Sequence, residues 1–397
     1  MQEQIEEILT RGVANIIPGK KELEELLLSG KKLNIYIGAD PTATHLHLGN
    51  AVPLRKLQKF LELGHKVTFL IGDFTALVGD TSDKESERPI LTSEEIEANF
   101  KDYQKQAEKI LDFSKVTIVH NSDWLKKLTF AEIIKLTQQF SLNDFISREL
   151  IAKRLKEGKH IRLDETLYPL MQGYDSYVMD TDIQLGGTDQ TFNMQAGRIL
   201  QRKLRDKESF VMTNPFLSGT DGRKMSKSWG NGVWLDEEPN SMYGKLMAMN
   251  DDLIIEYATL GSNMPLSQIN ELKKRLDSGE NPMTVKKDVA AYIVTELHDS
   301  ESAQTAAAHF EQTVQKKELP TDIPEVAITT DDGLISYVDL LVETNLAGSR
   351  GEAKRLIEQG GVEIDNDRIT DVNGETTLTD SVLVKVGKRN FVKVSKK

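Results

Sequence analysis

Residues 33–50, LNIYIGADPTATHLHLGN, contain an apolar strand, a glycine turn and a helix start that carries a histidine. Leu33–Ile37 has the apolar character of a buried strand and ends at Gly38, and apolar residues then recur at helical spacing from Val52 to Leu61. A helix that begins just after a strand and a glycine turn presents its N-terminal amides to phosphate. The stretch therefore predicts an α/β fold with a phosphate site.

A distant loop, Lys224-Met225-Ser226-Lys227-Ser228, supplies the other side of this site. It lies between Gly222 and Gly230, which allow a loop to close over a ligand. Lysines that face a helix N-terminus hold a phosphate between two sides. Together with His47-Leu48-Gly49-Asn50, the loop indicates that ATP activates a substrate.

The alternation of strands and helices continues through the first two thirds of the chain. Further strands are predicted at residues 67–71, 116–119, 182–185 and 210–212, with helical segments between them. This order favours a doubly wound parallel sheet of the Rossmann-like kind. Ligands are then expected at the carboxyl ends of the strands.

The remaining residues divide into three segments. Residues 236–318 have helical patterns and few strand signals, whereas residues 319–332 contain two prolines and clustered acids that oppose regular structure. Residues 333–397 combine helices with short strands and turns. We therefore predict an α/β catalytic domain over 1–235, a helical domain over 236–318, a linker over 319–332 and a small α+β domain over 333–397.

Composition excludes several kinds of chemistry. None of the 397 residues is cysteine, which rules out disulfides, thiolate zinc sites and thiol catalysis and suits a reducing compartment. No apolar run approaches the roughly 20 residues that a bilayer-spanning helix needs. We therefore expect a soluble cytoplasmic protein without a membrane partner.

Charge is unevenly distributed along the chain. The formal net charge is −12, but residues 333–397 carry ten basic and ten acidic side chains, so the whole deficit lies before them. Residues 381–397 hold six lysines or arginines and no acid. This basic strip predicts a selective contact with a polyanion. A solvated, disordered end is the alternative, although the apolar pattern of residues 382–392 favours paired strands.

Five ordered strings resemble those of a known family: Tyr36–Ala43, Gly79-Asp80, Tyr168–Asp175, Gly186–Gln190 and the Lys224 loop. They resemble the bacterial-type tyrosyl-tRNA synthetases, which are class I aminoacyl-tRNA synthetases. Residues 333–397 resemble the S4-like RNA-binding domain that this family carries at its C-terminus. The resemblance implies that ATP activates tyrosine to tyrosyl-adenylate and that tyrosine then passes to the 3′-terminal adenosine of tRNA(Tyr).

The reaction needs no general base, because the carboxylate of the amino acid is already ionised at neutral pH. Catalysis of its in-line attack on the α-phosphate depends on orientation and on charge stabilisation. His47, Asn50, Lys224 and Lys227 are the residues expected to supply that stabilisation. Asn50 replaces a second histidine of the commoner family pattern, so it keeps a donor but cannot carry charge.

Tyr168, Gln172 and Asp175 fall at i, i+4 and i+7, so they share one helical face and can line one pocket. The alternative is an amphipathic helix whose polar residues face solvent. By resemblance, Asp175 and Tyr36 meet the phenolic hydroxyl of tyrosine, while Asp80, Tyr168 and Gln172 hold its ammonium group. The related tryptophanyl enzymes, which also carry His-Leu-Gly-Asn, are the second candidate.

Further contacts are implied for both substrates. Gln190 lies near the tyrosine carboxylate, and Asp189 suits a ribose hydroxyl, although a tight turn with a helix cap would also explain it. The tyrosine-binding set is Tyr36, Thr75, Asp80, Tyr168, Gln172, Asp175, Gln184 and Gln190. The ATP-binding set is Gly38, Asp40, Thr42, His47, Gly49, Asn50, Gly187, Asp189, Lys224, Met225, Ser226 and Lys227.

Basic residues are assigned to tRNA. Arg350, Lys354 and Arg355 form one basic helical edge that the terminal strip extends. By resemblance, a polar stretch from Asp80 approaches pyrophosphate or the acceptor end of tRNA, although residues 81–83 add an acid and a solvated loop competes. The tRNA-binding set is Lys84, Arg88, Arg350, Lys354, Arg355, Lys385, Lys388 and Arg389.

Partners follow from the same resemblance. We expect a homodimer in which each tRNA bridges the subunits, Mg²⁺ that accompanies ATP, no tightly bound cofactor, no metal site built by side chains and no contact with DNA. Two other classes stay open. A nucleotidyltransferase acting on a small metabolite would not need the basic tail, and an RNA-binding module built on an inactive synthetase would be expected to have lost part of the site.

Overall fold

The computed structural model describes residues 1–40, 45–80, 92–226, 229–315, 323–330, 333–365, 367–378, 382–387 and 390–396. Six residues of the predicted sites lie outside these ranges: Thr42, Lys84, Arg88, Lys227, Lys388 and Arg389.

Contacts group the chain into two compact units. The first comprises Met1–Glu238 and Lys245–Asp299, and the second comprises Pro239–Gly244 and Ser300–Lys397.

A mixed sheet forms the centre of the first unit. Within the described ranges its strands are β1 Asn15–Ile17, β2 Asn34–Ala39, β3 Lys66–Ile71, β4 Thr117–His120, β5 Ile183–Gly187 and β6 Phe210–Asn214. The order is β1-β6-β5-β2-β3-β4, and β2 to β6 are parallel while β1 is antiparallel to β6. The predicted α/β class and parallel sheet are confirmed. The order reverses between β2 and β5, where sheets of this kind bind ligands.

One strand of this sheet was not predicted. The short edge strand β1 pairs with β6, with Ile16 opposite Met212. It spans three residues, of which only Ile16 is buried. So short a segment shows too little alternation of apolar and polar residues to predict a strand from the sequence.

Helices surround the sheet and dominate the chain after it. Those up to residue 310 are α1 Gln2–Thr10, α2 Lys20–Leu28, α3 Leu48–Glu62, α4 Ser93–Ala107, α5 Ser122–Leu125, α6 Phe130–Thr137, α7 Leu142–Ile146, α8 Glu149–Lys156, α9 Leu163–Val178, α10 Thr191–Arg205, α11 Pro239–Met247, α12 Ile254–Leu260, α13 Leu266–Asp277, α14 Pro282–Leu297 and α15 Ser300–Phe310. The helical character predicted after residue 236 is confirmed. None of the helices described here is long and apolar enough to cross a lipid bilayer.

Small residues position the helix that carries the predicted tyrosine pocket. Helix α9 packs directly against α10, and α10 lies on β5 and β6. A Cβ atom on Gly173 of α9 would lie 3.0 Å from the backbone of Ala196, and one on Gly197 would lie 2.8 Å from Ser176. Glycine at both positions therefore lets the two helices approach closely.

The second unit contains a smaller antiparallel-rich sheet. The described strands and helices from residue 325 onward are β7 Glu325–Ile328, β8 Leu334–Ser336, α16 Tyr337–Glu343, α17 Arg350–Glu358, β9 Val362–Ile364, β10 Asp367–Ile369, β11 Glu375–Thr377, β12 Val382–Val386 and β13 Asn390–Lys396. The sheet has the order β10-β9-β12-β13-β7, and β8 pairs separately with β11. Strands β12 and β13 pair as the apolar pattern predicted. Buried Leu340, Val384 and Val394 belong to its core.

A strand also lies inside the stretch predicted as a linker. Strand β7 runs parallel to β13, with Val326 opposite Val394. Its apolar residues, including buried Ile328, provide the contacts that local sequence could not show. The prolines and acids on either side had suggested irregular structure throughout, but pairing with a distant strand outweighs that local signal.

Candidate active site

A cavity of about 390 Å³ opens at the carboxyl ends of β2 and β5. Most residues of the predicted substrate sites line it: Tyr36, Gly38, Asp40, His47, Gly49, Asn50, Thr75, Asp80, Tyr168, Gln172, Asp175, Gly187, Asp189, Gln190, Lys224 and Met225. Gln184 and Ser226 do not line it. The structure therefore brings together strings that are far apart in the chain.

Asp175, on α9, is buried with both of its carboxyl oxygens hydrogen bonded. Trp124 Nε1 donates to Oδ1 at 2.7 Å, and Asn121 Nδ2 donates to Oδ2 at 3.1 Å. Burial raises the pKa of Asp175 to about 8, although these two hydrogen bonds oppose the shift. Neither donor was predicted, but both follow the carboxyl end of β4, which is where such residues could have been sought.

Tyr36 lies beside Asp175 with its hydroxyl group paired. Its hydroxyl donates to Gln184 Oε1 at 3.3 Å, and Gln184 Nε2 donates to the carbonyl of Met194 at 2.9 Å. Burial, and then the charge of Asp175, raises the pKa of Tyr36 well above its ordinary value, so the phenol stays neutral. Gln184 was predicted to line the pocket, but it lies on the strand beside Tyr36 and supports that residue instead.

Asp40 joins the tyrosine pocket to the strand ends. Tyr168 donates its hydroxyl to Oδ2 at 2.8 Å, and Thr75 donates to Oδ1 at 2.8 Å. Asn121 Nδ2 in turn donates to Thr75 Oγ1 at 2.9 Å, so Asp40 and Asp175 share one hydrogen-bond network. A Cβ atom on Gly72 would collide with the Asp40 carboxylate, which requires glycine there.

A second polar group surrounds Asp80. Gln190 Nε2 donates to Asp80 Oδ2 at 2.7 Å and to Asp189 at 3.1 Å, while Asn193 Nδ2 donates to Gln190 Oε1 at 3.1 Å. Arg148, which was not predicted, lies 4.0 Å from Asp80 Oδ1 with both side chains about 9% exposed. This part of the cavity therefore offers acceptors to a cationic group and holds them in fixed positions.

His47 caps the N-terminus of α3. Its Nδ1 accepts a hydrogen bond from the Asn50 amide at 3.3 Å, and Asn50 Oδ1 accepts one from the His47 amide at 3.1 Å. Burial, with the charge of Lys224 acting in the same direction, lowers the pKa of His47 to about 4. The neutral ring then carries its proton on Nε2, which is left as a donor.

Asn50 thus has a structural role that its sequence pattern did not reveal. It sits three residues after the N-cap, where a side-chain acceptor completes a capping box. A Cβ atom on Gly49 would lie 3.0 Å from two atoms of the His47 ring, so glycine leaves room for the capping imidazole. Asn50 is exposed and still lines the cavity.

Asn231 holds the described part of the Lys224 loop. Its Nδ2 donates to the Lys224 carbonyl at 3.1 Å and to Asp221 Oδ1 at 2.8 Å, and its Oδ1 accepts from the Ser226 amide at 2.9 Å. Asn231 is 3% exposed, and Lys224 Nζ lies 5.5 Å from the centre of the Phe216 ring. Asn231 was not predicted as a site residue, although its position directly after Gly230 marks a turn.

The two predicted sides of the phosphate site are joined by backbone contacts. His47 and Trp234 form an antiparallel bridge, and the Leu48 amide donates to the Val233 carbonyl at 2.9 Å. The rings of His47 and Trp234 lie 5.7 Å apart. The segment that follows the loop is therefore attached to the start of α3.

Four described residues of the predicted tRNA-binding set lie in the second unit: Arg350, Lys354, Arg355 and Lys385. Lys354 and Arg355 are exposed on α17, while Arg350 forms an ion pair with an aspartate of α16. Lys385 is half-buried, and its Nζ lies 2.7 Å from Glu363 Oε2.

Within the described ranges, no group of three or more histidine, aspartate or glutamate side chains is arranged to hold a metal ion.

Known proteins resemble the chain over almost its whole length. The family described as tRNA synthetases class I (W and Y) matches residues 28–315, and the tyrosine–tRNA ligase SYY-like C-terminal domain matches residues 315–394. A tyrosine–tRNA ligase of Thermotoga maritima is 43% identical over 396 residues, which cover 99% of this chain and 98% of that protein. One from Carboxydothermus hydrogenoformans is 43% identical over 397 residues, with 98% and 97% covered.

The fold agrees with these sequence matches. A crystal structure of a C-terminally truncated mitochondrial tyrosyl-tRNA synthetase from Aspergillus nidulans superposes with a TM-score of 0.64 at 21% identity, covering 78% of this chain and 93% of the other. The family and domain matches, the high coverage at 43% identity and the shared fold agree. The chain therefore belongs to the tyrosine–tRNA ligases, a family of class I aminoacyl-tRNA synthetases.

Proposed function

We propose that the protein joins tyrosine to tRNA(Tyr) in two steps, with tyrosyl-adenylate as the intermediate and pyrophosphate as the first product. The observation that carries this proposal is the placement of Asp175 and Tyr36 in the same cavity as His47 and Lys224. A pocket with polar groups for a hydroxyl therefore adjoins a site with donors for phosphate.

Tyrosine would enter the cavity with its phenolic hydroxyl towards Asp175 and Tyr36. Phenylalanine lacks that hydroxyl, so the hydrogen bonds to these groups, each contributing about 0.5–1.5 kcal/mol, would not form. At the other end, Asp80, Tyr168 and Gln172 would hold the ammonium group, and the Gln190 amide would lie near the carboxylate. These assignments are supported by the fact that all of these residues line the same cavity.

ATP would lie along the helix start and the Lys224 loop. The α3 amides, the Nε2 donor of His47 and the ammonium groups of Lys224 and Lys227 would stabilise the pyrophosphate as it leaves. Asp189 would accept a hydrogen bond from a ribose hydroxyl. Mg²⁺ would come with ATP and offset charge on the phosphates.

Pyrophosphate exchange tests the first step with each amino acid in turn, and charging of tRNA tests the second. We expect exchange with tyrosine alone, followed by charging of tRNA(Tyr). Exchange with tryptophan would overturn the tyrosine assignment. Exchange without charging would indicate a nucleotidyltransferase, and RNA binding without exchange would indicate an RNA-binding module.

The second unit would bind tRNA, chiefly through phosphates and shape, as RNA helices are usually recognised. In the full chain, replacing Lys354 and Arg355 with alanine should raise the KM for tRNA several-fold and leave pyrophosphate exchange unchanged. Replacing Lys31 and Lys32 is the matched control, because both precede β2 at the sheet edge opposite the cavity. Equal effects on charging would contradict a specific role for α17.

We also propose a homodimer that acts in the cytoplasm. Several large apolar side chains of the first unit are exposed, as expected of a surface that another copy covers: Phe130, Ile134, Leu142, Leu155 and Leu163. Sedimentation of the full chain would show a monomer if this is wrong. The proposed boundaries at residues 235, 318 and 332 can be tested by limited proteolysis.

A further inference from the structure

The cavity carries more negative than positive charge. Burial raises the pKa of Asp175 to about 8, so at neutral pH the cavity's described charged lining residues are three aspartates and one lysine, namely Asp40, Asp80, Asp189 and Lys224. ATP would add further negative charge, and neutral His47 and uncharged Asn50 do not offset it. A side chain that can gain a proton in this cavity would therefore favour ATP binding.

His45 is such a side chain, and the sequence motifs did not single it out. It lines the cavity, its side chain is 48% exposed, and its Nδ1 lies 2.9 Å from Asp236 Oδ2. Its ring lies 6.2 Å from the ring of Trp234, which also lies 5.7 Å from His47. His45 and His47 thus both lie next to Trp234 at the phosphate side of the cavity, but His45 pairs with a carboxylate and His47 caps a helix.

Asp236 determines how the His45 ring can be used. A carboxylate accepts hydrogen bonds, so Nδ1 carries a proton and donates it to Asp236. In the neutral ring Nε2 is then an acceptor, which a phosphate oxygen cannot satisfy. In the imidazolium Nε2 becomes a donor as well, while Nδ1 keeps its hydrogen bond to Asp236.

We propose that His45, protonated and held by Asp236, binds a phosphate oxygen of ATP. This inference rests on the proposed function and adds a ligand contact to it. The His45 ring would present to the phosphate the positive charge that His47 and Asn50 do not carry.

Other charged groups lie near the pair and must be held constant in a test. Lys109 Nζ donates to the Leu235 carbonyl at 2.7 Å, and the charges of Asp236 and Glu238 act on it. Lys224 lies on the other side, next to His47. The test variants therefore change only His45 or Asp236 and keep side-chain size close to the original.

The experiment measures the KM for ATP in tyrosine-dependent pyrophosphate exchange, with the full chain at pH 6.0 and pH 8.5 and saturating tyrosine and Mg²⁺. His45→Gln should raise the KM for ATP about tenfold at pH 6.0, as expected for loss of one charge-assisted hydrogen bond, and at most about twofold at pH 8.5. The KM for tyrosine should not change. His160→Gln, an exposed histidine that does not line the cavity, is the matched control.

Asp236→Asn keeps an acceptor for Nδ1 but removes the charge. It should raise the KM for ATP at pH 6.0 by less than His45→Gln does, because the ring keeps a hydrogen bond at Nδ1 but loses its paired charge. An equal effect of His45→Gln at both pH values, or none at either, would overturn the inference. Absence of exchange in the unmodified chain would instead overturn the proposed function.

Discussion

Replacement of Asp175 with asparagine should stabilise the protein at alkaline pH and at the same time remove tyrosine activation. Burial raises the pKa of Asp175 from 3.8 to about 8. Between these values the folded protein holds a proton that the unfolded chain has released. The free energy of unfolding therefore falls as the pH rises through this range. Asparagine has no proton to lose, so the variant should escape this loss.

The magnitude follows from the size of the shift. Each pKa unit corresponds to about 1.36 kcal/mol. The difference in the pKa of Asp175 between the folded and unfolded states therefore lowers the free energy of unfolding by roughly 1.6 kcal/mol at pH 5 and roughly 5 kcal/mol at pH 8. The advantage of Asp175→Asn over the unmodified protein in free energy of unfolding should therefore grow by roughly 4 kcal/mol between pH 5 and pH 8. For the first unit, which has about 300 residues, this corresponds to about 6 °C in Tm.

The asparagine also has a cost that does not depend on pH. Its amide has one oxygen, so it cannot accept from both Trp124 and Asn121, and one buried donor loses its partner at a cost of about 1–3 kcal/mol. This cost lowers Tm equally at both pH values. The difference between the two pH values, and not the absolute Tm, is therefore the quantity that reports the raised pKa.

Scanning calorimetry at pH 5 and pH 8 gives that difference, with Asp277→Asn as a control because Asp277 is exposed on α13. Pyrophosphate exchange measures the second effect. We expect kcat/KM for tyrosine to fall about 100-fold, since a hydrogen bond to a charged or buried partner contributes up to about 3 kcal/mol. A change in Tm that is equal at both pH values would refute the raised pKa, and unchanged exchange would refute the role in tyrosine binding.

Three further substitutions test the architecture of the site. Asn231→Ala should lower kcat of pyrophosphate exchange about tenfold without changing the KM for tyrosine, because the Lys224 loop loses two hydrogen bonds that each contribute about 1 kcal/mol. Gly49→Ala should displace the capping ring of His47 and raise the KM for ATP several-fold. Gly72→Ala should displace Asp40 and lower Tm by several degrees in calorimetry.

Much of the fold could be predicted because its signals are local. The strand at residues 34–39 is an apolar run, and the helix that begins at Leu48 has a helical period of apolar residues. The face that Tyr168, Gln172 and Asp175 share follows from helical spacing alone, and all three line the cavity. By contrast, β1 and β7 are short strands that depend on distant partners, so local pattern did not indicate them.

The supporting residues of the site could not be predicted for a different reason. Trp124 and Arg148 lie on α5 and just before α8, and only the folded chain brings them to Asp175 and Asp80. Side chains that act through another residue need no motif of their own. Gln184, which was predicted for the tyrosine pocket, lies on the neighbouring strand and accepts the hydrogen bond of Tyr36.

Asn50 and Asn231 together show how one backbone arrangement serves both sides of the phosphate site. Asn50 completes the cap of α3, and the residue before that helix pairs with Trp234, three residues after Asn231. The helix start and the segment after the loop are therefore fixed relative to each other. Gly222 and Gly230 have φ values of +83° and +64°, so the chain changes direction at both ends of the loop. A Lys224 loop that closes over ATP would therefore meet a helix start that is already in place.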